Sequence, residues 1–381
     1  MLQTILLLTP IYVTLFWALA LTGNKKKDNS PQRILSKFML LTAVGFITLY
    51  LYFEPLPTVL PFFDCALQYT LCLIFPFYYI YFRLLTVDVK FSFKAHGRYL
   101  LIPILLATAY FIGVLFTSWM DYTEWLTNEN AFPDSSYIQF LNVMRLVIKI
   151  HFIIQFMVTA IGNQLLIHKY GVKVEQFYSD MEDENYNNAK ALNFSIVVIF
   201  LISAIVFVLN NKLSLPKETL LYTVLSISSI MLFLIGYLGN KQKPINPTFE
   251  LTNNDDELNQ LEVIPVDSRK KIVNKMLIQF EEEKIFLNNQ LNIMDIVQAV
   301  GTNRTYISSI INQQFNQNFC SFVNSYRIVE LERILIENPD YTNEVLADCC
   351  GFGSLNSLKR ALFAKTGMTL PEWKKQVLAA R

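Results

Sequence analysis

The chain has 381 residues, of which 53% are hydrophobic and only 17% charged, whereas soluble domains carry about 25% charged residues. Formal net charge is +1, so charge taken whole points to no particular partner. Five cysteines (Cys65, Cys72, Cys320, Cys349, Cys350) without metal-ligand spacing, and only three histidines, argue against a disulfide framework and a histidine-rich metal centre.

Up to about Asn240 the apolar residues arrive in blocks of around twenty, the length that spans a bilayer core as a helix. Seven such runs stand at 2–22, 34–53, 58–84, 99–119, 138–168, 192–210 and 217–239. In the first, Ala18-Leu19-Ala20 resembles a signal-peptidase site. The run lacks a basic n-region, however, and Lys25, Lys26 and Lys27 follow it, so it is read as a retained helix.

Basic residues prefer the cytoplasmic loops. Lys25, Lys26, Lys27, Arg33 and Lys37 follow run one; Arg83, Lys90, Lys94 and Arg98 follow run three. Lys169, Lys173 and Lys190 follow run five, and Lys241 and Lys243 follow run seven. The alternate segments "EPLP" (54–57) and "DYTEWLTNENAFPDSS" (121–136) carry no base, and only Lys212 and Lys217 break the pattern. The expected protein is a multi-pass protein of the bacterial inner membrane, amino terminus outside and everything after Gly239 cytoplasmic.

Run five is the most informative span. At 100° per residue, Arg145, Lys149, His151, Gln155, Thr159 and Asn163 fall within a roughly 160° arc. The opposite face is Leu146, Val147, Ile150, Ile154, Met157, Val158, Ile161 and Leu165. Polar groups are costly in lipid, so the polar arc faces the bundle or a wet cavity. One reading is interhelical hydrogen bonding with snorkelling by Arg145 and Lys149. The other is an outward-facing pocket for an unknown signal ligand, built from Asp64, Arg145, Lys149 and His151. Asp64 on run three is the partner expected for Arg145, both being roughly 11 Å below the outer start of their helices. The depth match weakens if helix three starts nearer Pro61.

Residues 241–268 contain Pro244, Pro247 and "TNNDDELN" and read as a linker. From Arg269 the 3.6-residue periodicity returns, so the tail to Arg381 is expected to be helical. "RKKIVNKMLIQFEEEKIF" reads as one amphipathic helix. "NIMDIVQAV" is a second, stopped at Gly301, and Asn303 caps a third, "RTYISSIINQQF". Two short helices across a tight turn make a helix-turn-helix. After the long helix "CSFVNSYRIVELERILIEN" the theme recurs in "TNEVLADCCGFGSLNSLKRALFAKTG", with Gly351 at the turn and Ser354 or Asn356 as cap. Cys349 and Cys350 are placed in the core stripe beside Ala347. Thr369 and Glu372 form a capping box for the last helix.

"FVNSYRI" (322–328), "LADCCGF" (346–352) and "GMTLPEWKK" (367–375), set around two helix-turn-helix units, resemble the AraC/XylS family of transcription regulators over about 270–378. Leu358 and Leu362 replace the family's usual Phe, Phe363-Ala364 its basic pair, and Leu370 its Pro. Together with the seven apolar runs, the resemblance gives the expected all-α protein: an amino-terminal seven-helix transmembrane bundle (1–240), the linker, then, as the resemblance implies, a cytoplasmic AraC-type DNA-binding domain (269–381) whose two units a long helix joins. It implies double-stranded promoter DNA as partner. The candidate DNA contacts are Asn303, Arg304, Thr305, Tyr306, Ser308 and Ser309 in the first unit. In the second they are Ser354, Asn356, Ser357, Lys359 and Arg360. Asn324 and Arg327 brace the units rather than touch bases. Residues 265–381 hold 14 Lys plus Arg against 12 Asp plus Glu, a net of +2, which is meagre for phosphate neutralisation.

No Gly-rich phosphate loop, HExxH, nucleophile elbow or kinase set occurs, so neither an enzyme nor a cofactor is expected. The function read from the sequence is a membrane-anchored, sequence-specific DNA-binding regulator. Its further partners are the bilayer, RNA polymerase, a second copy of the chain and the signal ligand. The rival is a transporter or receptor-like membrane protein whose helical tail binds a protein.

Overall fold

A computed structural model of the protein describes residues 2–23, 30–53, 59–88, 91–127, 135–179, 184–210, 217–242 and 266–379. Every regular element among them is helical. The linker between 243 and 265, the "EPLP" segment and Lys25, Lys26 and Lys27 lie outside the described residues. The chain divides into two compact units, Met1–Ile167 with Asn188–Ile245, and His168–Asn187 with Asn246–Arg381.

The first unit is built on α1 (Leu2–Thr22), α2 (Ser30–Phe53), α3 (Leu60–Thr86), α4 (Phe93–His96), α5 (Arg98–Leu115) and α6 (Trp119–Thr127). It continues with the first part of α7 (Ser136–Phe177), most of α8 (Glu184–Asn210) and α9 (Lys217–Lys241). Seven of these, α1, α2, α3, α5, α7, α8 and α9, are long and apolar enough to cross a membrane. Pro10, Pro76 and Pro103 stand within these helices, tolerated where hydroxyl side chains or neighbouring helices take up the carbonyls that proline leaves free. α1, α2 and α3 pack in sequence, α9 returns against α1, and α5 lies on α3. At Gly236 and Gly239 a Cβ would collide with Trp17 and Leu35; their absence lets α9 close on α1 and α2. Phe38, Tyr78, Tyr81 and Phe82 are fully buried, and the Tyr78 hydroxyl donates to the Leu192 carbonyl at 2.8 Å.

The expected two-faced character of α7 is present. Thr159 and Asn163 are buried, whereas Leu146, Val158 and Ile161 are 58%, 64% and 60% exposed. An apolar face this open on a helix of this length fits lipid and not water. The structure differs from the expected runs at three places. α7 continues to Phe177, giving a contour of about 63 Å, twice the roughly 30 Å hydrocarbon thickness. α8 begins at Glu184. Hydropathy marks lipid-compatible residues and so ends before a polar helical extension does. Part of the acidic segment 121–136 is also helical, as α6.

The second unit comprises the end of α7, the start of α8 and the tail. The tail helices are α10 (Val266–Glu281), α11 (Ile293–Val300), α12 (Arg304–Phe315), α13 (Phe319–Glu337), α14 (Asn343–Cys349), α15 (Leu355–Thr366) and α16 (Leu370–Ala379). α10 stops short of the expected helix end. Glu281, Glu282 and Glu283 would crowd the negative end of its dipole. The chain instead turns through Lys284 at φ 48 and makes a single 3-10 turn over Ile285–Leu287. Lys284 then reaches Glu330 at 3.1 Å.

α11 starts with a capping box in which Asn292 accepts from the backbone and Asp295 accepts back. It ends at Gly301, φ 72. Asn303 caps α12 through the Tyr306 amide at 2.9 Å. Gly351 turns at φ 79, and a Cβ there would strike the Leu287 backbone, which is why glycine stands at that turn. Ser354 and Ser357 cap α15 reciprocally at 3.2 Å, and Thr369 with Glu372 caps α16.

α13 serves two cores. Phe319, Phe322 and Val323 are buried at its start, with the Phe322 ring against Phe280 and Phe315. Ile328, Leu331 and Leu335 join Leu346, Ala347, Cys350, Leu358, Leu362 and Trp373. Each such buried side chain contributes about 1.5–3 kcal/mol before the entropy of ordering is subtracted. Cys350 lies in this core, its thiol pushed up to about 12 by burial. Cys349, expected beside it, is exposed, because adjacent helical positions point about 100° apart.

Candidate functional site

Two constellations stand out, one in each unit. In the first, the Arg145 Nη2 on α7 donates to Asp64 Oδ1 on α3 at 2.6 Å. Asp64 has no exposed surface, whereas the Arg145 side chain is 22% exposed. A buried carboxylate costs several kcal/mol unless charge and hydrogen bonds compensate it. Here the Tyr110 hydroxyl (α5) donates at 2.6 Å, the Tyr122 hydroxyl (α6) at 2.7 Å, and the Gln68 amide at 3.4 Å. Arg145 Nε also donates to Tyr110 at 3.1 Å, and its guanidinium lies 4.0 Å from the Trp125 ring centroid. Four helices therefore meet on one carboxylate.

α3 begins at Leu60, so Asp64 does sit near the start of its helix, shallower than Arg145 relative to its own. The long arginine side chain closes the difference. The rest of the expected set is not assembled here. Lys149 is exposed, and His151 Nε2 stands 2.7 Å from the Gln155 amide nitrogen. Tyr110, Tyr122 and Trp125 take the places that sequence reasoning left empty. Tyr122 and Trp125 are buried at i and i+3 of the short α6. That spacing was the signal available for them, inside a segment taken for a loop.

The second constellation lies in the second unit, around α12, α13 and α15. Asn356, Lys359 and Arg360 are exposed along α15, and Thr305, Tyr306, Ser308 and Ser309 are half-buried along α12. Ser357 is buried and, with Ser354, is engaged in the cap of α15, so its hydroxyl is a poor candidate for a base edge. The Asn303 side-chain oxygen is likewise engaged at the start of α12.

Arg304 departs furthest from its expected role as an exposed reader. Its guanidinium lies 5.2 Å from the ring centroid of Phe177, at the end of α7. Its Nε and Nη1 are buried, with no hydrogen-bond partner among the described residues. Burial disfavours the charged form and lowers its basicity.

Phe177 belongs to a strap, Glu175–Ser179, that lies along the tail. The Ser179 amide donates to the Leu291 carbonyl at 3.0 Å, and Tyr178 bridges Asn292. Asn318 donates to Glu175 at 3.0 Å. Arg327 on α13, fully buried, donates to the Ser179 carbonyl at 3.2 Å and hydroxyl at 3.0 Å. The same guanidinium donates to the Phe286 and Asn288 carbonyls, each at 2.8 Å, and lies 5.5 Å from the Phe352 ring. Arg327 thus braces both halves of the tail, as expected, and holds the strap as well.

Comparison with protein-family models, with curated proteins and with solved structures finds no match for this chain. Its functional reading rests on its own residues. Among the described residues no group of three or more His, Cys, Asp or Glu is placed to hold a metal ion.

Proposed function

We propose that the protein is a membrane-anchored, sequence-specific DNA-binding transcription regulator whose membrane bundle senses a signal. One observation carries the reading. α12 and α15, of 12 residues each, each follow a short helix and a left-handed glycine, φ 72 and 79. Each starts at a polar side-chain cap, and the 19-residue α13 joins the two. We read this arrangement as two helix-turn-helix units on one connecting helix, a reading that the AraC/XylS-like residues support.

Such units read bases with the amino-terminal residues of the second helix, and paired units occupy major grooves about one turn apart. In this reading Lys359 and Arg360 hold phosphates, and Arg304 and Asn356 stand where base edges would come. The basic bias of alternate loops puts the tail in the cytoplasm of a bacterial cell, beside DNA and RNA polymerase. The Asp64–Arg145 cluster supplies a polar, partly accessible site for the signal, and a second copy of the chain is admitted at a two-part promoter.

A cleft of about 470 Å³ lined by Phe280, Phe286, Phe315, Phe322 and Tyr326 favours a second reading, in which the tail holds a protein. Selection of random duplex DNA by the full chain in lipid nanodiscs separates them. Enrichment of a motif about two helical turns long supports the regulator; no enrichment overturns it.

A further inference from the structure

We infer that the Glu175–Ser179 strap is an internal competitor of DNA, holding the tail in a state that does not read and giving the membrane bundle its means of control. The inference rests on the DNA-binding reading above.

The strap is attached at several points. It makes a backbone bond to Leu291 at the entrance to α11, a side-chain bond from Asn318 at the entrance to α13, and two bonds from Arg327. Phe177 is 4% exposed, its ring against Arg304, the first residue of α12. That residue is at the end of a recognition helix that must meet base edges. An Arg304 reading guanine needs its donors directed at the base. Here its Nε and Nη1 are buried and have no hydrogen-bond partner among the described residues. A buried donor without a partner is a cost that native structures seldom carry without a reason. DNA would relieve it, and the strap prevents that.

The control follows from covalent continuity. Phe177 is the last residue of α7, the helix that also carries Arg145, 32 residues earlier (177 minus 145). Any rearrangement of the Asp64–Arg145 cluster that shifts or rotates α7 acts on the element that ends in the strap. A ligand at that cluster changes the tail to the extent that it binds the strapped and released states differently. The linker after α9, the other covalent route, need not carry the signal.

The test uses the full chain in nanodiscs and the DNA motif it selects. A strap that leaves about one molecule in ten competent lowers apparent affinity about tenfold. Phe177→Ala should therefore bind up to about tenfold more tightly than the unaltered protein. Phe177→Leu keeps apolar volume while removing the ring that covers Arg304, and should shift affinity the same way. In the double variant Phe177→Ala with Arg304→Ala, the gain should disappear.

The opposite state is reached through Cys320, whose thiol lies 3.4 Å from the Ser179 carbonyl. Ser179→Cys, oxidised with copper phenanthroline to join Cys320, should weaken binding, and dithiothreitol should restore it. Unchanged or weaker binding by both Phe177 variants, at unaltered melting temperature, overturns the inference while leaving the regulator reading intact. If the unaltered protein and every variant bind no duplex DNA, the regulator reading falls and takes the strap's role with it.

Discussion

Arg145 on α7 and Asp64 on α3, 81 residues apart in sequence, form a 2.6 Å ion pair in which the carboxylate has no exposed surface. The pair is the centre of a cluster and not an isolated contact. The Tyr110 and Tyr122 hydroxyls complete the carboxylate's shell, and Trp125 lies against the guanidinium. Because the two charges come from different helices, the relationship measures how α3 and α7 are held together.

Arg145→Ala strands the Asp64 carboxylate, and breaking one side of a buried pair costs about 3–5 kcal/mol. Asp64→Asn with Arg145→Gln removes both charges and should cost markedly less. Thermal melting in nanodiscs compares the two. Equal losses would show that the charges contribute nothing beyond their hydrogen bonds. Under the sensing proposal, the Arg145→Ala variant also leaves the target transcript locked at one level across inducing and non-inducing conditions. Normal induction at normal membrane abundance would refute that role.

Arg327→Met keeps much of the side-chain volume and removes the donors that serve Phe286, Asn288 and Ser179. Buried carbonyls left without donors cost about 1–3 kcal/mol each. The second unit should therefore lose hydrogen-exchange protection in both α11 and α14, on either side of α13. Loss in only one would contradict a shared brace.

Hydrogen bonds from Arg333 at 2.6 Å and Lys284 at 3.1 Å hold the Glu330 carboxyl below the ordinary glutamate range, outweighing the opposing effect of burial. A depressed folded-state value means that the stabilisation is fully present above the unfolded glutamate pKa, about 4.3. It is lost as pH falls through the folded value. The unaltered protein should therefore lose more of its melting temperature between about pH 5 and about pH 2 than Glu330→Gln does. Parallel losses would count against it.

Arg360→Glu, reversing an exposed charge on α15, should abolish binding to the selected DNA at 0.15 M salt. Lys359→Ala should weaken all sequences alike and reduce the slope of log K against log salt by about one, the signature of a phosphate contact. A change in preferred sequence instead would move Lys359 among the base readers.

A reporter fused after Lys243 should be active only in a form that works in the cytoplasm, and one fused after Leu115 only in a form that works outside. The basic loops after α1, α3 and α7 motivate the expectation. Activity of a periplasmic reporter at Lys243 would invert the scheme and remove the tail from DNA.

Local sequence determined the elements of this protein wherever a local physical rule applies. Seven apolar runs had to be helices because backbone polar groups in lipid have no other partners. The exposed apolar side of α7, from Leu146 to Leu165, followed from a 100° projection, as did the inward placement of Thr159 and Asn163. α12 begins at Arg304 because Asn303 caps it, and α11 ends where Gly301 accepts a left-handed backbone. Even the Asp64–Arg145 pair was legible, since Asp64 is the one acid in the third apolar run and Arg145 stands at a similar expected depth in the fifth.

Tertiary structure alone decided the rest. Nothing near Tyr110 marks it as a donor to Asp64, and the spacing of Tyr122 and Trp125 does not say which group they meet. The placement of residues 168–187 with the tail, the strap on Arg327 and the covering of Arg304 by Phe177 join positions more than 120 residues apart. Such contacts leave no trace in local periodicity. They depend on where the end of α7 lies within the second unit.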